Sequence, residues 1–83
     1  MEYYIKRINV APSTFSVSKF DGNSEQPLEV YRVFEVMHPG GAVTNGRCEC
    51  MSWRSGKKRP CKHQSMVEEF KAAGEPQPFI YQP

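Results

Sequence analysis

Arg47-Cys48-Glu49-Cys50-Met51-Ser52-Trp53-Arg54-Ser55-Gly56-Lys57-Lys58-Arg59-Pro60-Cys61-Lys62-His63 is the stretch on which the fold turns. It holds all three cysteines of the 83-residue chain and one of its two histidines. They form two pairs, Cys48-x-Cys50 and Cys61-x-His63, with ten residues between them. Three thiolates and one imidazole make a complete tetrahedral donor set for zinc. Residues i and i+2 of an extended strand point to the same side, so Cys48 and Cys50 can face one ion. Cys61 and His63 fall where a helix begins, and the free N–H groups and dipole there favour a thiolate. Three buried thiols beside an incidental histidine are the bland alternative, but the spacer is too polar to bury them. A catalytic zinc keeps one position open, whereas this set supplies four ligands. A Cys–His nucleophile needs a third orienting group, and none accompanies the pair. The expectation is one structural zinc ion held by Cys48, Cys50, Cys61 and His63, with no catalytic residue and no enzyme activity.

Working outward, Pro60 and Gly74 bracket a helix. His63, Met66, Val67 and Phe70 recur within it at intervals of three and four and share a face. A zinc ion on His63 would therefore pin that helix to whatever carries Cys48. Before the ligands, Leu28 to Met37 reads as a central strand with apolar residues on both faces. His38-Pro39-Gly40-Gly41 suits a type II turn, and Ala42-Val43-Thr44 starts a returning strand. Asn45-Gly46 either bulges that strand or makes a second tight turn. Tyr3 to Val10 places Ile5 on one side and Tyr4 and Ile8 on the other. Ala11-Pro12-Ser13 reads as a turn, and Phe15 and Val17 alternate inward in the next run, so the two runs make a hairpin. The segment 75–83 has three prolines and must be extended. Its Phe79-Ile80-Tyr81 triplet is expected to dock on its own sheet or on the sheet edge of a partner. The fold class expected is α+β: a small antiparallel sheet of about four strands with one C-terminal helix around a β-β-α zinc finger core.

The ligand pattern resembles the SWIM-type zinc finger family, whose motif is Cys-x-Cys, a variable spacer and Cys-x-His in a β-β-α arrangement. Cys48-Glu49-Cys50 and Cys61-Lys62-His63 match it residue for residue. The proline before Cys61, the lysine between the last two ligands and the apolar helix after them are also similar to the family. The resemblance divides the chain, read as one domain, into an N-terminal hairpin extension (1–27), a SWIM-like finger (28–74) and a Pro-rich tail (75–83). It implies a module that binds nucleic acid or protein.

Charge points in the same direction. Residues 47–63 carry a net charge of +5 and the remainder of the chain −3, although the whole is only +2. A local excess of this kind is the footprint of a surface that meets an acidic partner. Basic side chains suit phosphates, and an indole can stack on a base. Arg47, Trp53, Arg54, Lys57, Lys58, Arg59 and Lys62 are the candidate nucleic-acid contacts, DNA or RNA. The alternative for the loop is a solvated basic segment whose Trp53 packs beside the zinc site. The alternative for the whole protein is an adaptor or inhibitor that docks on another protein around a purely structural zinc. His38 could substitute as a metal ligand, but its Pro-Gly-Gly context reads as that of a turn residue. No run of 18 apolar residues suggests a membrane span, and no apolar segment follows the N-terminus as in a signal peptide. The expected setting is intracellular, cytoplasmic or nuclear, where thiols stay reduced. No small-molecule substrate is implied.

Overall fold

The computed structural model describes residues 1–10, 13–56 and 61–82. The expected turn at Ala11-Pro12 and the loop residues Lys57, Lys58, Arg59 and Pro60 lie outside them. Five strands form one antiparallel sheet: β1 (Glu2–Val10), β2 (Ser13–Phe20), β3 (Glu29–Met37), β4 (Val43–Cys48) and β5 (Ile80–Tyr81), in the order β4-β3-β2-β1-β5. Two helices follow β4, a single turn α1 (Met51–Ser55) and the longer α2 (Lys62–Ala72). The class is α+β, as expected. The strand count exceeds the expected four because the tail docks as β5. The helix count exceeds one because half of the ligand spacer is itself helical.

Alternation sets the inward face of the strands, although the central strand β2 buries Thr14 and Ser16 on its other face as well. Tyr3 and Ile5 of β1, Phe15 and Val17 of β2 and Val33 of β3 all point to one face and are buried. α2 lays Met66, Val67 and Phe70 on that face, with the Phe15 and Phe70 rings meeting edge to face at 6.1 Å. Side chains of the N-terminal hairpin and the three cysteines belong to one continuous core. β3 lies between β2 and β4, but its second face is not covered: Val30 and Val36 are 54% and 46% exposed.

The turns obey local chemistry. The His38 carbonyl accepts from the Gly41 N–H at 3.1 Å, and Gly40 takes φ +93°, as the third position of a type II turn requires. Asn45-Gly46 resolves as a bulge. Val33 pairs with Cys48 and Glu35 with Asn45, so β4 spends one more residue than β3 over that interval. A Cβ on Gly46 would stand 2.9 Å from the Phe34 carbonyl oxygen, so the bulge needs glycine. Gly74, at φ +88°, ends α2: its N–H bonds the Lys71 carbonyl and the Glu75 N–H bonds the Phe70 carbonyl, both at 3.0 Å.

The tail then turns back onto β1. Tyr81 pairs with Tyr3, Ile80 with Tyr4, and the Ile5 N–H donates to the Phe79 carbonyl at 3.2 Å. Of the two sheet edges open to it, the tail takes its own. A polar network locks this end of the molecule. Arg7 grips the Glu75 carboxylate with two bonds of 2.8 and 2.9 Å and donates to Ser13, while Ser13 and Lys71 both donate to the buried Glu35. Among the described residues, no helix is long and apolar enough to cross a membrane.

Candidate metal centre

Four backbone devices deliver the four ligands. Cys48 is the last residue of β4, placed by the bulge two residues earlier. Cys50 lies beyond the strand and is the N-cap of α1, its sulfur accepting the Trp53 N–H at 3.4 Å. The expectation that Cys48 and Cys50 share one strand face is thus corrected. Glu49 is still held to β3, its N–H on the Arg32 carbonyl at 3.2 Å and its carboxylate on the Arg32 guanidinium at 2.9 and 2.8 Å, and the chain turns away only at Cys50, where α1 begins. Cys61 is the N-cap of α2 and His63 lies in its first turn, as the spacing predicts.

The ligand atoms of Cys48, Cys50, Cys61 and His63 all lie within 4.8 Å of one another, and all four residues are buried. Zinc–sulfur bonds of about 2.3 Å and zinc–nitrogen bonds of about 2.0 Å set tetrahedral edges of roughly 3.6–3.8 Å. The Cys48 Sγ to His63 Nδ1 distance, 3.7 Å, falls on such an edge. Nδ1 is therefore the nitrogen presented to the cluster. Nε2 is buried and has no hydrogen-bond partner among the described residues. Packing orients the ring instead: Tyr31 stacks on it at 4.2 Å and Tyr3 meets its edge at 6.0 Å.

The electrostatics suit a cation. Burial, together with the neighbouring Cys61 and Cys50 thiols, pushes the Cys48 thiol well above its ordinary pKa. Burial and then the charges of Lys62 and Lys19 lower His63 to about 4, so its imidazole is neutral at physiological pH. Neutral imidazole is the form that binds metal. Crowded sulfurs that resist ionisation in isolation become thiolates readily when a divalent ion supplies the opposing charge. The donor set fits one metal ion, with zinc the choice favoured by three sulfurs and one nitrogen in a closed set.

Gln64 is a positioning residue that the spacing rules pass over. It is 2% exposed. Its Oε1 accepts the Cys61 N–H at 3.0 Å and its Nε2 donates to the Gly46 carbonyl at 2.8 Å. One amide thereby joins the start of α2 to the bulge that aims Cys48. The signal was present in the sequence, since Cys61-x-x-Gln64 has the spacing of a capping box. His38 bonds Thr44 at 2.9 Å in its turn and takes no part in the cluster.

Of the candidate nucleic-acid contacts, Arg47, Arg54 and Lys62 are exposed. Arg54 borders two hollows, one shared with Arg47, Cys48 and Trp53 and the other with Lys62, Cys50 and His63. Lys62 leans on Tyr3, its Nζ 3.4 Å from the phenol oxygen. Trp53 is half-buried and packs against the core, the placement of a ring that walls the site. No family model, no curated protein and no solved structure matches this chain.

Proposed function

We propose that the protein is a small zinc-stabilised module that binds nucleic acid, with the basic side chains around the metal centre as its phosphate contacts. The observation that carries this reading is the placement of Arg47, Arg54 and Lys62, three exposed cations set around the same four buried ligands. Arg32 takes the Glu49 carboxylate in a two-pronged pair, so the acidic residue of this segment does not cancel Arg54 or Lys62. Lys57, Lys58 and Arg59 add three more charges on the same short spacer. The zinc is structural: three thiolates and one dication sum to −1, which leaves the local excess of positive charge intact. The Cys-x-Cys and Cys-x-His spacing, with two strands before and a helix after, supports a relationship to the SWIM-type fingers. No catalytic role is assigned, and an intracellular setting suits the reduced thiols.

Polarisation titrations of the zinc-loaded protein with labelled duplexes and single strands test the reading. Four phosphate contacts would give log K against log salt a slope of about −3.6 on duplex DNA. Arg54→Ala should weaken binding to all sequences alike and reduce that slope by about 0.9. Absence of binding at low salt would refute it. The second reading, a protein-docking adaptor around the same zinc, is favoured by Met37 and Val43, apolar residues 56% and 41% exposed at the tip of the β3–β4 hairpin. Its mark would be partner capture that survives nuclease and is lost in Met37→Lys.

A further inference from the structure

The face of the sheet turned away from the helices has an unusual surface. An antiparallel sheet with one wet face ordinarily shows polar residues there. Here Tyr4, Lys6, Phe20, Arg32 and Phe34 set aromatic rings and cations among small polar and aliphatic residues, with Thr14 and Ser16 buried beneath them. Tyr4 and Phe20 form one aromatic station, with ring centroids 4.9 Å apart and planes inclined at 59°. Phe34 forms a second, with the Arg47 guanidinium 4.5 Å and the Arg32 guanidinium 5.7 Å from its ring centre. The register sets Tyr4 level with Val30 through Ser18, and Phe34 level with Thr14. The two stations are therefore about 16 Å apart, from two strand spacings and four residue rises. Beside the first station lies a hollow of about 220 Å³, lined by Tyr4, Phe20, Lys6, Ser16, Ser18 and Gln77 among others. Its wall thus combines flat π surfaces, two hydroxyls, an amide and an ammonium. Lys6 stands in no ion pair among the described residues.

A ligand matched to these features is planar, has hydrogen-bonding edges and carries negative charge beside each plane. We infer that this face is a binding platform for single-stranded nucleic acid: one base enters the hollow at Tyr4 and Phe20, a second stacks on the Phe34–Arg47 pair, and Lys6 and Arg47 meet the phosphates. A duplex keeps its bases stacked inside and offers no face to these rings, whereas an unpaired strand does. The pair with Glu49 holds the Arg32 guanidinium beside Phe34 and steadies that station. This inference rests on the nucleic-acid reading above and moves its base-contacting surface from the zinc loop to the sheet.

The test compares the zinc-loaded wild type with Tyr4→Leu, Phe34→Leu and a loop variant (Arg54→Ala, Lys57→Ala, Lys58→Ala, Arg59→Ala), using labelled oligo(dT), oligo(U) and a mixed-sequence duplex. Leucine keeps the apolar bulk and removes the π surface. The expected result is a preference for single strands and a loss of roughly tenfold in affinity for each leucine variant, in line with the worth of one stacked base. Amide shifts of the ¹⁵N-labelled wild type on adding oligo(dT) should fall on β1, β2 and β3, a readout independent of how the variants fold. Strand binding that is equal in the leucine variants, lost in the loop variant and shifts only residues near the metal overturns this inference and leaves the loop reading standing. No binding of any nucleic acid overturns both. Binding of a poly-glutamate peptide on the same strands, without oligonucleotide binding, would give the face to an acidic protein and also overturn it.

Discussion

The two ends of α2 are fastened to the sheet by opposite means. At the N-terminal end, Cys61 and His63 meet Cys48 and Cys50 in a cluster whose attraction is conditional on an ion. At the C-terminal end, Phe70 wedges between Phe15 and Phe79 while Lys71 reaches the buried Glu35, and nothing external is needed. The first fastening depends on a ligand, the second on the chain alone. The contrast shows how so short a chain can hold a helix over five strands: its apolar core fastens one end of α2 and a candidate metal site gathers the other.

Removing the metal should produce the largest effect. Structural zinc contributes about 10–16 kcal/mol in small fingers, against a total of about 5–15 kcal/mol for a domain. Chelation, or Cys61→Ser, should strip hydrogen-exchange protection from residues 43–48 and the first turn of α2 before the segment around Phe70. Uniform loss across the whole chain would break the comparison, since the metal would then hold both ends.

Phe70→Ala attacks the other fastening and should cost about 3–5 kcal/mol by denaturant titration, with zinc stoichiometry retained. Glu35→Gln comes next. It leaves Lys71 without its carboxylate, and a loss of about 2 kcal/mol is expected, discounted from the full cost of breaking a buried pair because Lys71 is partly exposed. Gln64→Ala should cost about 1–2 kcal/mol for the orphaned Cys61 N–H and Gly46 carbonyl. Unlike the previous two, it should also lower zinc affinity in a competition assay, because it loosens the bulge that aims Cys48.

Acid should separate the ends with the finest resolution. His63 titrates at about 4 in the folded chain, below its unfolded value of about 6.5. Without metal, the unfolded state binds a proton first, so stability is full above pH 6.5 and declines as pH falls toward 4. The hydrogen bond from Arg7, then its charge, holds Glu75 below the ordinary carboxylate range. Its contribution is present above about pH 4.3 and is lost as pH falls through the depressed value. Glu75→Gln should therefore flatten only the lower window, by less than about 1 kcal/mol, since the pair is partly solvated. Stability of the metal-free protein measured from pH 7 to 3 would show both windows or disprove the assignment.

Much of this was legible beforehand where periodicity and spacing speak directly. Ile5, Phe15 and Val17 alternate, His63, Met66 and Phe70 recur at helical intervals, and two Cys/His pairs stand ten residues apart. The exceptions share one cause. Whether Asn45-Gly46 bulges or turns depends on what Phe34 brings opposite. That Val30 and Val36 stay exposed reflects the lack of a second layer on that face among the described residues. The Arg7–Ser13–Glu35–Lys71–Glu75 network joins residues up to 68 positions apart, beyond the reach of any local rule.

The chain by itself thus determined its donor atoms, its main helix and the inward faces of its strands, because these follow from side-chain chemistry and from fixed backbone periods of 2 and about 3.6. Only the tertiary structure decided which sheet edge the tail takes, how Gln64 couples the helix to the bulge, and that one aromatic and basic face stays open. Each of those outcomes is a contact between distant segments, and its energy exists only once the strands are in register.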